Sequence, residues 1–126
     1  MQLPYGNYSI VVEEHIITVS LTDSFNQAGA EALTNDIKRT ISRFKGKPFS
    51  IMVIDTTVSG NTPDAYEKIN KYNKWLNEQN LIAKALVVPS GAIRKINDVR
   101  IPAKAKQNVR SFDNVPDALV WLKNQS

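Results

Sequence analysis

Apolar and polar positions change period several times along the chain, and each change marks an element. Tyr8-Ser9-Ile10-Val11-Val12 and Ile16-Ile17-Thr18-Val19-Ser20-Leu21 read as two strands joined by the polar turn Glu13-Glu14-His15, with Ile17, Val19 and Leu21 on one face. A spacing of three and four then takes over at Ala30, Leu33, Ile37, Ile41 and Phe44. It predicts a helix to about residue 45, opened by a capping box of Ser24 and Gln27 and closed by Gly46-Lys47-Pro48. Ile51-Met52-Val53-Ile54 and Ala85-Leu86-Val87-Val88 are unbroken apolar runs, the pattern of strands covered on both faces. Between them Thr62-Pro63-Asp64 combines a hydroxyl cap, a first-turn proline and an acid at the positive end of a helix, whose buried stripe is Ala65, Ile69, Tyr72 and Leu76. Pro89-Ser90-Gly91 leads into one or two helical turns at Ala92, Ile93 and Ile96. Residues 97–107 read as a loop, residues 108–112 as a last strand, and residues 115–124 as a helix burying Ala118, Leu119 and Leu122. This alternation predicts an α/β domain: a mixed, mostly parallel sheet of four to five strands with about four helices.

At 126 residues the chain has the length of one domain, here residues 1–126, with enough core to fold without metals or disulfides. With 42% hydrophobic and 22% charged residues it falls in the globular range, which excludes a disordered or coiled-coil chain. The absence of cysteine removes thiolate nucleophiles, iron–sulfur clusters and cysteine-bound zinc, and a single histidine removes an all-nitrogen zinc site within the chain. No metal or other cofactor is therefore expected. No apolar run reaches the roughly 18 residues of a membrane span, and no signal peptide is evident. The expectation is a cytoplasmic protein that is not an integral membrane protein.

The net charge of +4 is concentrated in one place. Residues 84–110 hold Lys84, Arg94, Lys95, Arg100, Lys104, Lys106 and Arg110 against Asp98 alone. Such a cluster suits an anionic partner. Aromatic residues that would stack on bases are not interleaved with it, which argues against nucleic acid.

The order of elements, with Val19-Ser20-Leu21-Thr22-Asp23-Ser24-Phe25-Asn26, Met52-Val53-Ile54-Asp55, Ser111-Phe112 and Asp117-Ala118-Leu119-Val120-Trp121-Leu122, resembles the STAS domain, specifically the small SpoIIAA-like proteins. The resemblance extends over nearly the whole chain. It implies a non-enzymatic regulatory module that binds a protein partner and is switched by phosphorylation of a serine at the start of the helix after the central strand. In the stretch Asp55-Thr56-Thr57-Val58-Ser59-Gly60-Asn61-Thr62, Ser59 is the nearest positional match, with Thr57 and Thr62 as neighbouring hydroxyls.

Independently of the family, this hydroxyl-rich loop lies between the carboxyl end of a central strand and a helix N-terminus, where free N–H groups favour an anion. Asp55, Ser59, Gly60 and Thr62 on this loop, with Ser90, Gly91 and Arg94 on the next, form the candidate ligand- or partner-binding set. Two binding modes remain open: a protein partner on the residue 59–62 loop and the following helix, or a small anion or lipid at the strand ends or beneath the helices. A ligand would require a pocket bordered by residues 57–62 and 90–94; a partner would require an apolar patch instead. Catalysis is not expected, because the chain has no Gly-x-Ser-x-Gly elbow, no glycine-rich phosphate loop with lysine and no histidine placed beside a serine.

Overall fold

The hairpin, the two apolar runs and the short terminal strand join into one five-stranded sheet in the order β1-β2-β3-β4-β5, as shown by a computed structural model that describes residues 3–57 and 60–125. The strands are β1 (Tyr8–Glu13), β2 (Ile16–Leu21), β3 (Phe49–Asp55), β4 (Leu81–Val87) and β5 (Val109–Phe112). The first pair is antiparallel and the other three pairs are parallel. Helices α1 (Gln27–Ser42), α2 (Pro63–Leu76) and α3 (Gly91–Arg100) occupy the successive crossovers, and α4 (Val115–Lys123) follows β5. The domain is thus α/β with a mixed, mostly parallel sheet and four helices, as the pattern predicts.

Because the parallel strands are laid down in sequence order, right-handed crossovers place consecutive helices on the same face. There α1 and α2 pack on Ile17, Val19, Phe49 and Ile51, with Leu33, Ile37, Tyr72 and Leu76 completing the core. Chain reversal after β5 sends α4 to the opposite face, where Ala118 and Leu122 meet Met52, Ala83, Ala85 and Val87. Strand alternation divides β3 and β4 between these two cores.

Three local expectations are corrected. Asn26, not Ser24, caps α1: its Oδ1 accepts from the Gly29 N–H at 2.8 Å and from the Tyr5 N–H at 2.9 Å. Its Nδ2 donates to the Leu3 carbonyl, so one side chain also ties down the segment ahead of β1. The Tyr5 carbonyl lies so close to Gly29 that a Cβ there would meet it at 1.9 Å, which requires glycine at that position. Second, the expected loop at 97–107 is mostly helical. α3 continues to Arg100, and a 3-10 turn spans Pro102–Lys106, held to α2 by Ala103 N–H donating to Asn70 Oδ1 and by Asn77 Nδ2 donating to the Ala103 carbonyl. Third, His15 of the polar hairpin turn is half-buried, with a buried Nε2 that has no hydrogen-bond partner among the described residues.

Candidate functional site

At the carboxyl edge of the sheet, the loops after β2 and β3 are tied to one another. Asp55 ends β3 buried, and its Oδ1 accepts from the Thr57 N–H at 3.0 Å and the Thr57 hydroxyl at 2.7 Å. Thr57 is buried as well. Asn61 Oδ1 accepts from the Phe25 N–H, and the Thr62 N–H donates to the Phe25 carbonyl. Thr62, exposed, caps α2 by accepting from the Ala65 N–H. Ser90 does the same for α3 by accepting from the Ile93 N–H at 3.2 Å. Ser59 lies outside the described residues.

Arg94 does not reach toward these hydroxyls. Its Nη2 donates to the Val88 carbonyl at 2.7 Å and lies 3.4 Å from Asp113 on the far side, clamping the end of β4 to the turn before α4. Gly91 is exposed with open space around it, whereas a Cβ on Gly60 would come within 3.1 Å of the Tyr66 hydroxyl. That hydroxyl accepts from the Asn61 N–H and donates to Asn97 Oδ1 at 3.2 Å, linking the loop after β3 to α3. The structure therefore brings Gly60, Asn61 and Thr62 together with Tyr66 and Asn97, and leaves Ser90, Gly91 and Arg94 directed elsewhere.

A cavity of about 90 Å³ lies between the sheet and helices α1, α2 and α3. Its walls are mainly apolar: Val19 and Leu21 from β2, Val53 from β3, Leu86 from β4, Leu33 and Ile37 from α1. Leu21, Val53 and Leu86 stay half-buried although helices cover their face, because the cavity in front of them is reached by solvent. Asp55, Asn61 and Asn97 line the cavity near the carboxyl edge. Among the described residues of the predicted site, Asp55 alone takes part in this lining.

Lys84 lines the other end. It stands beside Ile51 in the sheet register, four residues before Asp55 along the neighbouring strand, or roughly 13 Å at the strand rise, so the carboxylate does not neutralise it. Only 5% of Lys84 is exposed. Its Nζ donates to Asn73 Oδ1 at 2.7 Å, and among the described residues it forms no ion pair. Burial lowers its pKa from 10.5 to about 7, assisted by the charge of Lys104, which lines the same cavity. Lys104 is itself paired with Asp98 at 2.7 Å. Asn73, also buried, accepts a second hydrogen bond at Oδ1 from Gln107 Nε2 at 3.0 Å and anchors its own Nδ2 on the Ile69 carbonyl. A partly neutral amine at the end of an apolar cavity can act as a hydrogen-bond donor, a base or a nucleophile.

Lys84 is the cavity group that the sequence does not single out, because a strand read from Ala85 leaves it in the basic segment 84–110. The signal was present in Leu81-Ile82-Ala83-Lys84-Ala85-Leu86-Val87, a single cation inside an apolar strand. The structure divides the basic segment accordingly: Lys84 and Lys104 face inward, Arg94 is clamped, and Lys95, Arg100, Lys106 and Arg110 are exposed.

Comparison with known proteins places the fold. Neither family models nor curated proteins match the chain in sequence. Among solved structures it is similar to an uncharacterized protein of the DUF3478 family with a SpoIIAA-like fold from Shewanella loihica PV-4. That similarity has a TM-score of 0.70 at 14% identity and covers 97% of each chain. The protein has a STAS/SpoIIAA-like fold. No helix among the described residues is long and apolar enough to cross a membrane.

Proposed function

We propose that the protein is a non-enzymatic binding module of SpoIIAA-like architecture, and that it takes a small, largely apolar ligand into the cavity beneath α1, α2 and α3. The observation that carries this reading is a mainly apolar, solvent-reachable cavity whose few polar groups are Thr34 on the α1 wall and the clusters around Asp55 and Lys84, the usual composition of a small-ligand site. Its size narrows the ligand. A dry cavity of about 150 Å³ accepts benzene, so about 90 Å³ suits a molecule of roughly four or five heavy atoms and is too small for a long-chain lipid. Titration with butan-1-ol, followed by methyl NMR, is expected to shift Ile51, Val53 and Leu86 together and to saturate. Shifts that are absent, or scattered over the surface without saturation, would refute the reading.

A second reading, docking of a protein partner, draws support from α3. Ile96 and Val99 are exposed there, Val99 at 77%, and Ile96 lies against Gly60 in the loop before α2. Thr62 is the exposed described hydroxyl of this loop through which modification would alter this surface, since a phosphate would remove the proton it donates to Asp64 and set a second negative charge beside that carboxylate. Replacing Ile96 and Val99 with serine is expected to weaken partner binding while leaving butan-1-ol binding intact. Partner binding unaffected by both changes would remove this surface from consideration.

A further inference from the structure

The cavity contains one group that simple accommodation of an apolar molecule does not require. Lys84 is 5% exposed, has no carboxylate partner among the described residues and lines an accessible apolar space. The groups facing it from each surrounding element explain its state. In the sheet it stands between Ile51 of β3 and Val109 of β5; Leu33 and Ile37 of α1 and Tyr72 of α2 line the same cavity, neutral Asn73 of α2 accepts its hydrogen bond, and the 3-10 turn contributes the cation of Lys104. Asp98 is engaged with Lys104, and Asp55 stands at the far end of the cavity, bonded to Thr57. Nothing nearby compensates a positive charge on Lys84, so the free base is the form this environment favours.

We propose that Lys84 is a carbonyl-capturing amine, condensing reversibly with a small aliphatic aldehyde held in the cavity to form an imine. The proposal rests on the small-ligand reading above. The Nζ lone pair attacks the carbonyl carbon, a C–N bond forms, and the carbonyl π pair moves to oxygen. Both amine protons then leave with that oxygen as one water while the C=N bond forms, so the step is balanced without oxidant or reductant. The walls favour this chemistry over ion pairing with an acid. A neutral imine suits the apolar lining, whereas pairing with a carboxylate would keep two charges buried in it. Asn73 Oδ1 keeps its bond from Gln107 when Lys84 is converted, so the reaction leaves it partnered.

The test uses the intact chain with butanal and sodium cyanoborohydride, which fixes an imine as a butyl amine, followed by peptide mass mapping. At pH 7 about half of the Lys84 amine is neutral, against roughly one part in a thousand or less for a surface lysine, so labelling of Lys84 at least about tenfold faster than any other lysine is expected. Trapping at Lys84 should fall as pH drops below 7, and butan-1-ol should slow it without slowing surface labelling. Labelling spread over surface lysines with Lys84 unmodified, a flat pH profile at Lys84, or insensitivity to butan-1-ol would each overturn the proposal. Saturable butan-1-ol shifts without trapping at Lys84 would refute the imine and leave the ligand reading standing. Absence of both would refute the two together. A Lys84→Met variant should lose the fast-labelling site while its surface lysines label at the parent rate; a fast-labelling site that persists in it would overturn the assignment.

Discussion

The two faces of the sheet are filled by opposite means. Under α4, small side chains bring helix and sheet close together: Ala83, Ala85 and Ala118 are fully buried and Leu122 fills the space between them. Under α1 and α2 the residues are larger, yet packing leaves a cavity and encloses an amine without a counter-ion. The difference lies partly in what must be covered. One nine-residue helix packs on β3, β4 and β5 by itself, whereas on the opposite face α1, α2, α3 and the 3-10 turn have to fit one another as well as the sheet. A face made entirely for stability would put an aliphatic residue at position 84. A costly polar group in an otherwise apolar wall is where local rules give way to a site.

Four substitutions would break or sharpen this contrast. The largest effect is expected at Leu122→Ala, which opens a hole in the closed face and should cost about 3 kcal/mol in denaturant unfolding while leaving butan-1-ol binding unchanged. A loss under about 1 kcal/mol would mean that the α4 face is not the tighter one. Lys84→Met should act in the other direction and stabilise the protein at pH 7, by less than Leu122→Ala costs, because it removes the desolvation of an uncompensated buried amine. The sign follows from linkage. With its pKa lowered to about 7 in the fold, Lys84 binds fewer protons there than in the unfolded chain between pH 7 and about 10.4, so its contribution to stability rises with pH across that window and is constant below it. Unfolding curves across pH 6–10 should show this slope in the parent and lose it in the variant; an unchanged slope would place its origin elsewhere.

Tyr66→Phe removes the hydroxyl that joins Asn61 to Asn97, and should cost about 1 kcal/mol and speed hydrogen exchange at the Asn61 amide. Unaltered exchange there would show that the loop after β3 does not depend on this link. The smallest effect is expected for Val53→Ile, whose added methyl enters the cavity. It should change stability by less than about 1 kcal/mol but weaken butan-1-ol binding at least about tenfold. Undiminished binding would move the ligand site away from Val53.

Much of the architecture was legible because its elements follow strong local rules. The alternation at Ile17, Val19 and Leu21, the three-and-four spacing from Ala30 to Ile41, and the Thr62-Pro63 start of α2 all appear where the pattern places them. α3 was underestimated because only Ile93 in it is buried, leaving little periodicity to read, and Ile96 and Val99 face outward. The 3-10 turn was read as loop because contacts with Asn70 and Asn77, more than thirty and twenty residues away, hold it. The cap of α1 was placed two residues early, since Ser24 and Asn26 are both suitable cap residues and the approach of Tyr5 decides between them. Of the described candidate residues, Asp55 alone lines the cavity. Placing ligands at the strand ends presumes a reversal of strand order, which opens a crevice there. This sheet runs in sequence order with no such reversal, and its cavity lies beneath the helices, the second of the two places the sequence leaves open.

The position of α4 also bears on biosynthesis. Every strand pairs with its neighbour in sequence, so β1 to β4 and the helices between them can assemble while later residues are still on the ribosome. The partner of Met52, Ala83 and Ala85 is not yet made at that stage, since Ala118 and Leu122 are among the last described residues to be synthesised. The emerging chain therefore carries a formed sheet with one greasy side bare, and the interval before α4 arrives is when it is most exposed to aggregation and most in need of a chaperone.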